Sequence, residues 1–163
     1  MLGRTYETEI CSAARALEIV GERWSLLILR NAVFAGMTRF SDFQRSLAIA
    51  PNILTKRLDH FVKEGLMTTA KGDSAADRRE YHLTAKGLDL VPVIAALRQW
   101  GDRWEAPLGP PAIVEHQDCG GRAELVFRCT RCGKQPKPDE ISARPTKAFA
   151  AYAKAMEKLK RAD

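Results

Sequence analysis

The sequence predicts a mainly helical fold that carries one small two-stranded β-hairpin. Apolar residues recur at helical spacing through residues 12–34. A second amphipathic segment, "IAPNILTKRLDHFVKEGLM", begins at residue 49. Two β-prone segments, "LMTTAK" and "RREYHLT", then flank the small polar loop "GDSAAD". Together these three observations predict helices first, a hairpin next and helix again towards the end.

The first helices follow from local signals. A helix over residues 12–20 ends at Gly21, and a strongly apolar helix, predicted to be buried, follows in "RWSLLILRNAVF". We expect Ser41 to cap a short helix through residue 48, with Asp42 near its positive end. Pro51 suits the first turn of the next helix, although Ala50 before it is a poor cap.

The helix that starts at Pro51 has two different faces. Its apolar arc contains Leu54, Leu58, Phe61 and Val62, and its polar arc contains Asn52, Lys56, Asp59, His60 and Lys63, with Thr55 and Arg57 on the flanks. The polar groups are of the kinds that bond base edges and phosphates. The alternative is an ordinary solvated helix face.

The order of the elements favours DNA binding over an ordinary solvated helix face. A short helix, a two-faced helix and a hairpin in succession predict a winged helix-turn-helix. Arg78 and Arg79 lie at the root of the hairpin, where they are placed for phosphate or minor-groove contact. Their alternative role is simple solubility.

A late apolar stripe predicts a subunit interface. Thr84 is expected to cap a long helix over residues 85–104, which Pro92 should kink or break. Its stripe consists of Leu88, Val91, Leu97, Trp100 and Trp104. Because the preceding helices and hairpin already supply a core, this surplus favours burial between subunits.

Composition shifts divide the chain into three predicted parts. Residues 8–105 form the winged domain with its dimerisation helices, and "APLGPPA" at residues 106–112 is a linker. Residues 112–145 form a small Cys/Gly-containing lobe, predicted as a β-hairpin resembling a zinc ribbon, and residues 146–163 form a helical tail.

Charge and hydropathy limit the function classes. The net charge of +6 and the pI near 9.3 favour an acidic partner, although most of the excess lies after residue 105. Charges interrupt any early apolar run, and the longest apolar stretches are too short for a membrane span, so a cytoplasmic protein without membrane partner is expected. With three histidines and no phosphate loop or recognisable catalytic set, the chain is not predicted to be an enzyme.

The C-terminal cysteines suggest a metal site. His116, Cys119, Cys129 and Cys132 follow the pattern H-x2-C-x9-C-x2-C, whose two close pairs suit a tetrahedral structural zinc. The alternative is a small lobe with idle thiols, docked on the long helix through Trp104, Leu108 and Ile113. A cofactor is not required by anything else in the sequence.

Cys11 stands alone at the start of the first predicted helix. The partial positive charge of a helix N-terminus favours a reactive thiolate, which is one interpretation of this cysteine. The competing interpretation is a small apolar residue packed in a dimer interface.

Residues 8–105 resemble the HxlR family of bacterial transcription regulators, a winged-helix group related to the MarR-type regulators. The resemblance is carried by Cys11 and by "GERWSLLILR", "RFSDFQRSL", "ILTKRLDHFVKEGL", "EYHLTAKG" and "WGDRW". It implies a homodimer with one recognition helix in each major groove of a pseudo-palindromic operator. Because the family includes redox- and electrophile-sensing members, the resemblance also makes Cys11 a candidate sensor of such signals. Ala50, Asn52 and the hairpin loop depart from the usual family pattern.

These considerations define two candidate surfaces. The predicted DNA contacts are Arg39, Ser41, Asn52, Thr55, Lys56, Arg57, His60, Arg78 and Arg79, and the predicted dimer contacts are Ile10, Cys11, Leu17, Leu97, Trp100 and Trp104. The expected function is regulation of transcription in response to a small molecule or a redox or electrophile signal. The alternative is a protein-interaction module, built from a winged helix and a zinc ribbon, without sequence-specific DNA binding.

Overall fold

The computed structural model describes residues 6, 9–72 and 79–160 of the chain, and excludes the side chains of residues 156 and 158–160. The chain divides into two compact units. The larger unit is Ile19–Leu125, and the other unit combines Met1–Glu18 with Val126–Asp163.

The described residues form helices and one two-stranded sheet. The helices are α1 (Ser12–Val20), α2 (Ser25–Phe34), α3 (Phe40–Leu47), α4 (Pro51–Lys63), α5 (Ala85–Leu88), α6 (Val91–Trp104) and α7 (Lys147–Lys160), with a 3₁₀ turn at Pro138–Glu140. The strands are β1 (Met67–Lys71) and β2 (Arg79–Leu83), paired antiparallel with Met67 opposite Leu83 and Lys71 opposite Arg79. The predicted fold class, mainly helical with a winged hairpin, is confirmed.

A single apolar core holds the larger unit together. Helix α2 contributes Ile28 and Leu29, and α3 contributes Phe43, all fully buried. The hairpin adds Met67 and Tyr81 from its two strands. Burial of side chains this large is the main stabilising contribution to the unit, of the order of 2 kcal/mol for each.

The turn between α3 and α4 uses backbone geometry instead of side-chain caps. Ala48 ends α3 in the left-handed region with φ of 48°, and Ala50 is extended before Pro51. The Ala50 carbonyl accepts from the N–H groups of Ile53 and Leu54, while its side chain offers no cap, as expected. The predicted Ser41 cap is wrong, because α3 already begins at Phe40 with Arg39 at the cap position.

The segment before α3 is tied to the hairpin. Tyr81 donates its N–H to the Thr38 carbonyl at 2.8 Å, and Arg39 forms an isolated antiparallel bridge with Glu80. These bonds fix the position of the hairpin relative to the start of α3.

The predicted helix over residues 85–104 is two helices. Helix α5 ends at Leu88 and α6 begins at Val91, with Pro92 in its first turn. Proline has no N–H to donate to the carbonyl four residues earlier, here that of Leu88, and its ring crowds that carbonyl, so the helix is interrupted. Thr84 caps α5 as predicted, since its side chain accepts from the Gly87 N–H.

The region after α6 contains little regular structure. An isolated bridge joins Glu115 to Arg122, and the predicted β-hairpin is otherwise not seen in the described residues 112–145. In the larger unit, this region is held on α6 by polar groups: the Gln99 amide exchanges two hydrogen bonds with the Leu125 backbone, at 2.9 and 3.3 Å. Docking through Trp104 and Leu108 is not observed, because both are largely exposed. No helix in the described parts of the chain is both long and apolar enough to cross a bilayer.

Gly87 of α5 lies in close contact with the Leu66 backbone before β1 and with Leu83 of β2. A Cβ there would lie 2.3 Å from the Leu66 carbonyl oxygen and 2.9 Å from a Leu83 methyl group. We therefore expect Gly87→Ala to lower the free energy of unfolding by about 2 kcal/mol, because backbone atoms must move apart. Gly101→Ala in α6 is the matched control, since nothing lies within 4 Å of its Cβ position.

The control substitution should raise stability by about 0.5–1 kcal/mol, because alanine is the better helix former. Urea unfolding of both variants, at equal protein concentration, measures the difference. Equal effects of the two substitutions would contradict this packing.

Candidate nucleic-acid interface

Helix α4 separates its residues into a buried and an exposed face, as its sequence predicts. Leu54, Leu58 and Phe61, spaced four and three residues apart, are fully buried. On the other side Asn52, Thr55, Lys56, Asp59 and Lys63 are exposed, and Ile53 is half-buried at the edge. Because the buried face is fixed in the core, the helix cannot rotate about its axis. The polar face therefore stays exposed to solvent.

The N-terminal half of the exposed face offers both amide and ammonium groups. Asn52 and Lys56 stand one turn apart. The Thr55 hydroxyl donates to the Pro51 carbonyl at 2.9 Å, which leaves its oxygen able to accept another hydrogen bond. An Asn amide matches the adenine edge, whereas Lys contacts guanine or phosphate.

Arg57 is less exposed than its sequence position suggested. Its side chain is 20% exposed, and its Nε lies 3.6 Å from the Glu22 carboxylate. The Nε itself is buried without a hydrogen-bond partner. Arg57 therefore holds α4 against the turn between α1 and α2, and its replacement would disturb the fold as well as any contact with DNA.

His60 also contacts the protein. The ring is half-buried, and its Nε2 lies 3.2 Å from the carbonyl oxygen of Ile19, near the end of α1. The neutral tautomer with a proton on Nε2 donates this hydrogen bond. The predicted contact of His60 with DNA thus competes with a hydrogen bond that the folded chain already makes.

The basic residues beside the hairpin are paired with carboxylates at the surface. Arg39 lies 3.2 Å from Glu80, and the same carboxylate lies 3.4 Å from His82. Arg79, at the start of β2, lies 3.9 Å from Asp59 of α4. Exposed pairs of this kind contribute less than about 1 kcal/mol, so a phosphate can replace the carboxylate. Ser41 is half-buried, and Arg78 lies outside the described residues.

Sequence reasoning did not single out Glu22 or Glu80, the acidic partners of Arg57 and Arg39. Alternation along β2 places Glu80 and His82 on the same side of the strand, so their contact could have been predicted from the sequence. Nothing in the sequence placed Arg39 next to β2, because that contact depends on the bridge between distant segments. The partner of Arg57 was equally hidden, since Glu22 precedes it by many residues.

Helix α6 presents a narrow exposed apolar stripe. Val93, Leu97, Trp100 and Trp104 are 48–62% exposed, and their spacing of four, three and four residues is that of a heptad seam. Val93 was missed by sequence reasoning, although this spacing could have revealed it. In the other unit, Leu17 and Cys11 are exposed and Ile10 is half-buried.

The four predicted metal ligands occur as two pairs, one in each unit. His116 Nδ1 lies 3.4 Å from Cys119 Sγ in the larger unit. Cys129 and Cys132 are hydrogen-bonded neighbours in the other unit. Among the described residues, neither unit by itself brings together three side chains able to hold a metal ion.

Comparison with known proteins gives a consistent result. The profile of the HxlR-like helix-turn-helix family matches residues 19–108. An uncharacterised HTH-type transcriptional regulator of Mycobacterium tuberculosis, Rv3095, is 41% identical over 151 residues, which cover 92% of this chain and 94% of the relative.

Solved structures show the same architecture. The crystal structure of PA1607, described as a candidate transcription factor, has a TM-score of 0.74 at 36% identity and covers 84% of this chain and 96% of that one. PA1374 from Pseudomonas aeruginosa, also described as a candidate transcription factor, has a TM-score of 0.59 at 35% identity and covers 85% and 94%.

Proposed function

Because the chain belongs to the HxlR-like helix-turn-helix family of transcriptional regulators, we propose that it acts as a homodimer on a pseudo-palindromic operator. Helix α4 enters the major groove, and the β1–β2 hairpin lies along the phosphate backbone. The observation that carries this proposal is the division of α4. Three fully buried residues fix the helix while Asn52, Thr55 and Lys56 face solvent.

The roles of the α4 residues follow from their chemistry. Asn52 supplies a bidentate amide for a base edge, and Lys56 supplies a charge for phosphate or guanine. Arg39 and Arg79 exchange their surface carboxylates for phosphates when DNA is bound. Arg57 contributes chiefly by holding the helix in place, since its side chain is paired with Glu22.

Dimer formation is supported by the stripe on α6. Four large apolar side chains at heptad spacing form the kind of exposed patch that a stable partner covers. A second copy of the chain can present the same stripe, and a two-fold axis through it gives two α4 helices related by symmetry. Half-sites about 34 Å apart then place both helices in major grooves on one side of the duplex.

The signal that changes DNA binding is a small molecule or a redox or electrophile signal. Cys11 is the candidate receiver, because it is exposed and its carbonyl accepts from the Arg15 N–H in the first turn of α1.

Two single substitutions in α4 should have different signatures in DNA binding. We expect Lys56→Ala to weaken binding to operator and to mixed-sequence duplex alike, and to reduce the slope of log affinity against log salt by about one. Asn52→Ala should leave that slope unchanged and lower the preference for operator by about 1–3 kcal/mol. Fluorescence anisotropy titrations over a salt series, using an operator obtained by selecting bound genomic fragments, measure both quantities.

Arg122→Ala is the control for charge alone, because Arg122 is exposed in the larger unit but lies outside α3, α4 and the hairpin. It should bind DNA like the unchanged protein. If Lys56→Ala and Asn52→Ala, both folded, bind operator as tightly as the unchanged protein, the assignment of α4 is wrong. Binding of mixed-sequence duplex with no salt dependence would favour a protein-interaction module instead.

A charge in the α6 stripe should separate the dimer. We expect Leu97→Glu to sediment as a monomer at micromolar concentration and to lose most operator affinity, because a carboxylate would be buried in an apolar seam. Ala96→Glu is the matched control, since its position flanks the seam where Glu is commonly accommodated. A monomeric unchanged protein that binds one half-site tightly would rule out this assembly.

Chemical modification tests the signal. Treatment with diamide or a quinone should release the unchanged protein from operator, and Cys11→Ser should bind DNA normally but no longer respond. Electrophoretic mobility shift before and after treatment measures the response. A response that persists in Cys11→Ser would direct attention to the other three cysteines.

A further inference from the structure

We propose that Cys129 and Cys132 form a site of reversible thiol–disulfide exchange, whose reactant is an anionic low-molecular-weight disulfide. The site lies within the unit that combines Met1–Glu18 with Val126–Asp163, beyond the family match, which ends at residue 108. The proposal is independent of DNA binding, because it concerns only the oxidation state of two sulfur atoms.

One closed turn brings the two cysteines together. The Cys129 carbonyl accepts from the Gly133 N–H at 2.9 Å, and the Cys129 N–H donates to the Lys134 carbonyl at 2.8 Å. Gly133 has a φ of +73°, in the left-handed region that other residues seldom adopt. A hydrogen bond from residue i+4 back to residue i closes one helical turn, in which residues three apart are neighbours. The backbone therefore places Cys132 beside Cys129.

The two side chains are hydrogen-bonded to each other within this turn. The Cys129 sulfur accepts hydrogen bonds from the backbone N–H groups of Cys132 and Arg131, and it is also hydrogen-bonded to the Cys132 thiol. Both cysteines are free thiols in the structure. Disulfides join cysteines whose Cα atoms lie within about 7 Å, and neighbours in a single turn meet this condition. A bond between the two sulfurs therefore needs only a local adjustment of side chains.

Small anions can reach the pair. Cys132 is exposed and Cys129 is half-buried. The ten residues 128–137 contain four basic side chains and no acidic one, and all four are exposed: Arg128, Arg131, Lys134 and Lys137. A surface of one sign raises the local concentration of ions of the other sign. An anionic disulfide such as oxidised glutathione therefore fits this site better than a neutral or cationic one.

The exchange takes place in two balanced steps. One thiol of the pair loses its proton to water, and its sulfur attacks the small disulfide, which forms a mixed disulfide and releases one small thiolate. The second thiol then loses its proton and attacks the protein sulfur of the mixed disulfide, which closes the Cys129–Cys132 bond and releases the second thiolate. The two cysteines are oxidised by two electrons, and the small disulfide is reduced to two thiols, which take up the two protons.

The resulting disulfide is expected to be easily reduced. It closes a loop of four residues, from Cys129 to Cys132, so it restricts the unfolded chain only slightly. Exposed disulfides have more oxidising potentials than structural ones and belong to the labile class. The pair should therefore follow the ratio of small disulfide to small thiol and contribute little to the stability of the fold.

Cys119 provides an internal comparison. It is exposed like Cys132, but the group beside its sulfur is an imidazole, with His116 Nδ1 at 3.4 Å. An imidazole cannot displace a small thiol from a mixed disulfide to form a second disulfide. Reaction at Cys119 should therefore stop at the mixed disulfide, whereas reaction at Cys129 or Cys132 should proceed to the closed pair.

The pattern of tryptic peptides tests the proposal. Trypsin cleaves after Arg128, Arg131 and Lys134. Cys129 and Cys132 are then released in two separate tripeptides that only a disulfide can join. Full-length protein is equilibrated with mixtures of reduced and oxidised glutathione in the presence of a chelator, quenched with acid, alkylated and digested. Mass spectrometry should find the two tripeptides joined, from chains that remain single on a denaturing, non-reducing gel, and dithiothreitol should restore both thiols.

Single substitutions separate the two steps. Cys129→Ser and Cys132→Ser should each stop at a mixed disulfide with glutathione on the remaining cysteine, because the second sulfur is missing. Cys119→Ser should leave the joined pair unchanged. Recovery of the two tripeptides unjoined, both alkylated or both carrying glutathione, at a glutathione ratio that modifies the single variants would overturn the proposal. A disulfide that joins two chains would overturn it equally.

Gly133→Ala tests the contribution of the turn. It should lower the ratio of disulfide to dithiol at a fixed glutathione ratio by about fivefold, because alanine disfavours the left-handed conformation and the turn that holds Cys132 beside Cys129 opens. Gly120→Ala is the matched control, since Gly120 has a φ of +67° and follows Cys119. It should leave the ratio unchanged, and equal effects of the two substitutions would contradict the role of the turn. These readouts involve no DNA, so failure of the proposed DNA binding would not affect them.

Discussion

The interaction on which the larger unit depends is the burial of one face of α4. Leu54, Leu58 and Phe61 are fully removed from solvent, and they meet residues of α2, α3 and the hairpin in one core. Because these three side chains set the rotation of the helix, they also determine which polar groups face outwards. Stability and the proposed DNA recognition are thus linked through a single helix, and a substitution that repacks the core would also change the direction in which the exposed face points.

Contacts at both ends of α4 fix the orientation of its exposed face. Ala48 and Pro51 set the direction in which α4 leaves α3, with no side-chain cap to assist. Arg57 and His60 attach the other end to Glu22 and Ile19. The hairpin is attached in turn through the bond from Tyr81 to Thr38. Each contact is modest in energy, and together they hold α4 and the hairpin in a fixed relative position.

Much of this arrangement was predictable from local pattern. Helical spacing separated Leu54 and Leu58 from Asn52 and Lys56, and the two short β-prone segments predicted the hairpin. The burial of Arg57 could not be predicted in this way. A helical projection does not show whether a residue at the edge of a face is covered by a distant residue such as Glu22. The break before α6 was foreseen at Pro92 only as a kink or break, since the outcome depends on how α5 packs. In the C-terminal segment the spacing identified the candidate ligands. It could not show that they fall into two different compact units.

The close contact between Gly87 and the Leu66 carbonyl helps to identify other proteins with this architecture from their sequences. A chain can vary the exposed residues of α4, and it can exchange apolar residues of similar size within the core. It cannot add even one methyl group where Gly87 meets the Leu66 carbonyl without moving α5 away from the hairpin. A glycine at this position is therefore a useful reference point for aligning distant sequences. It indicates how α5 packs against the hairpin and says nothing about which DNA sequence is bound.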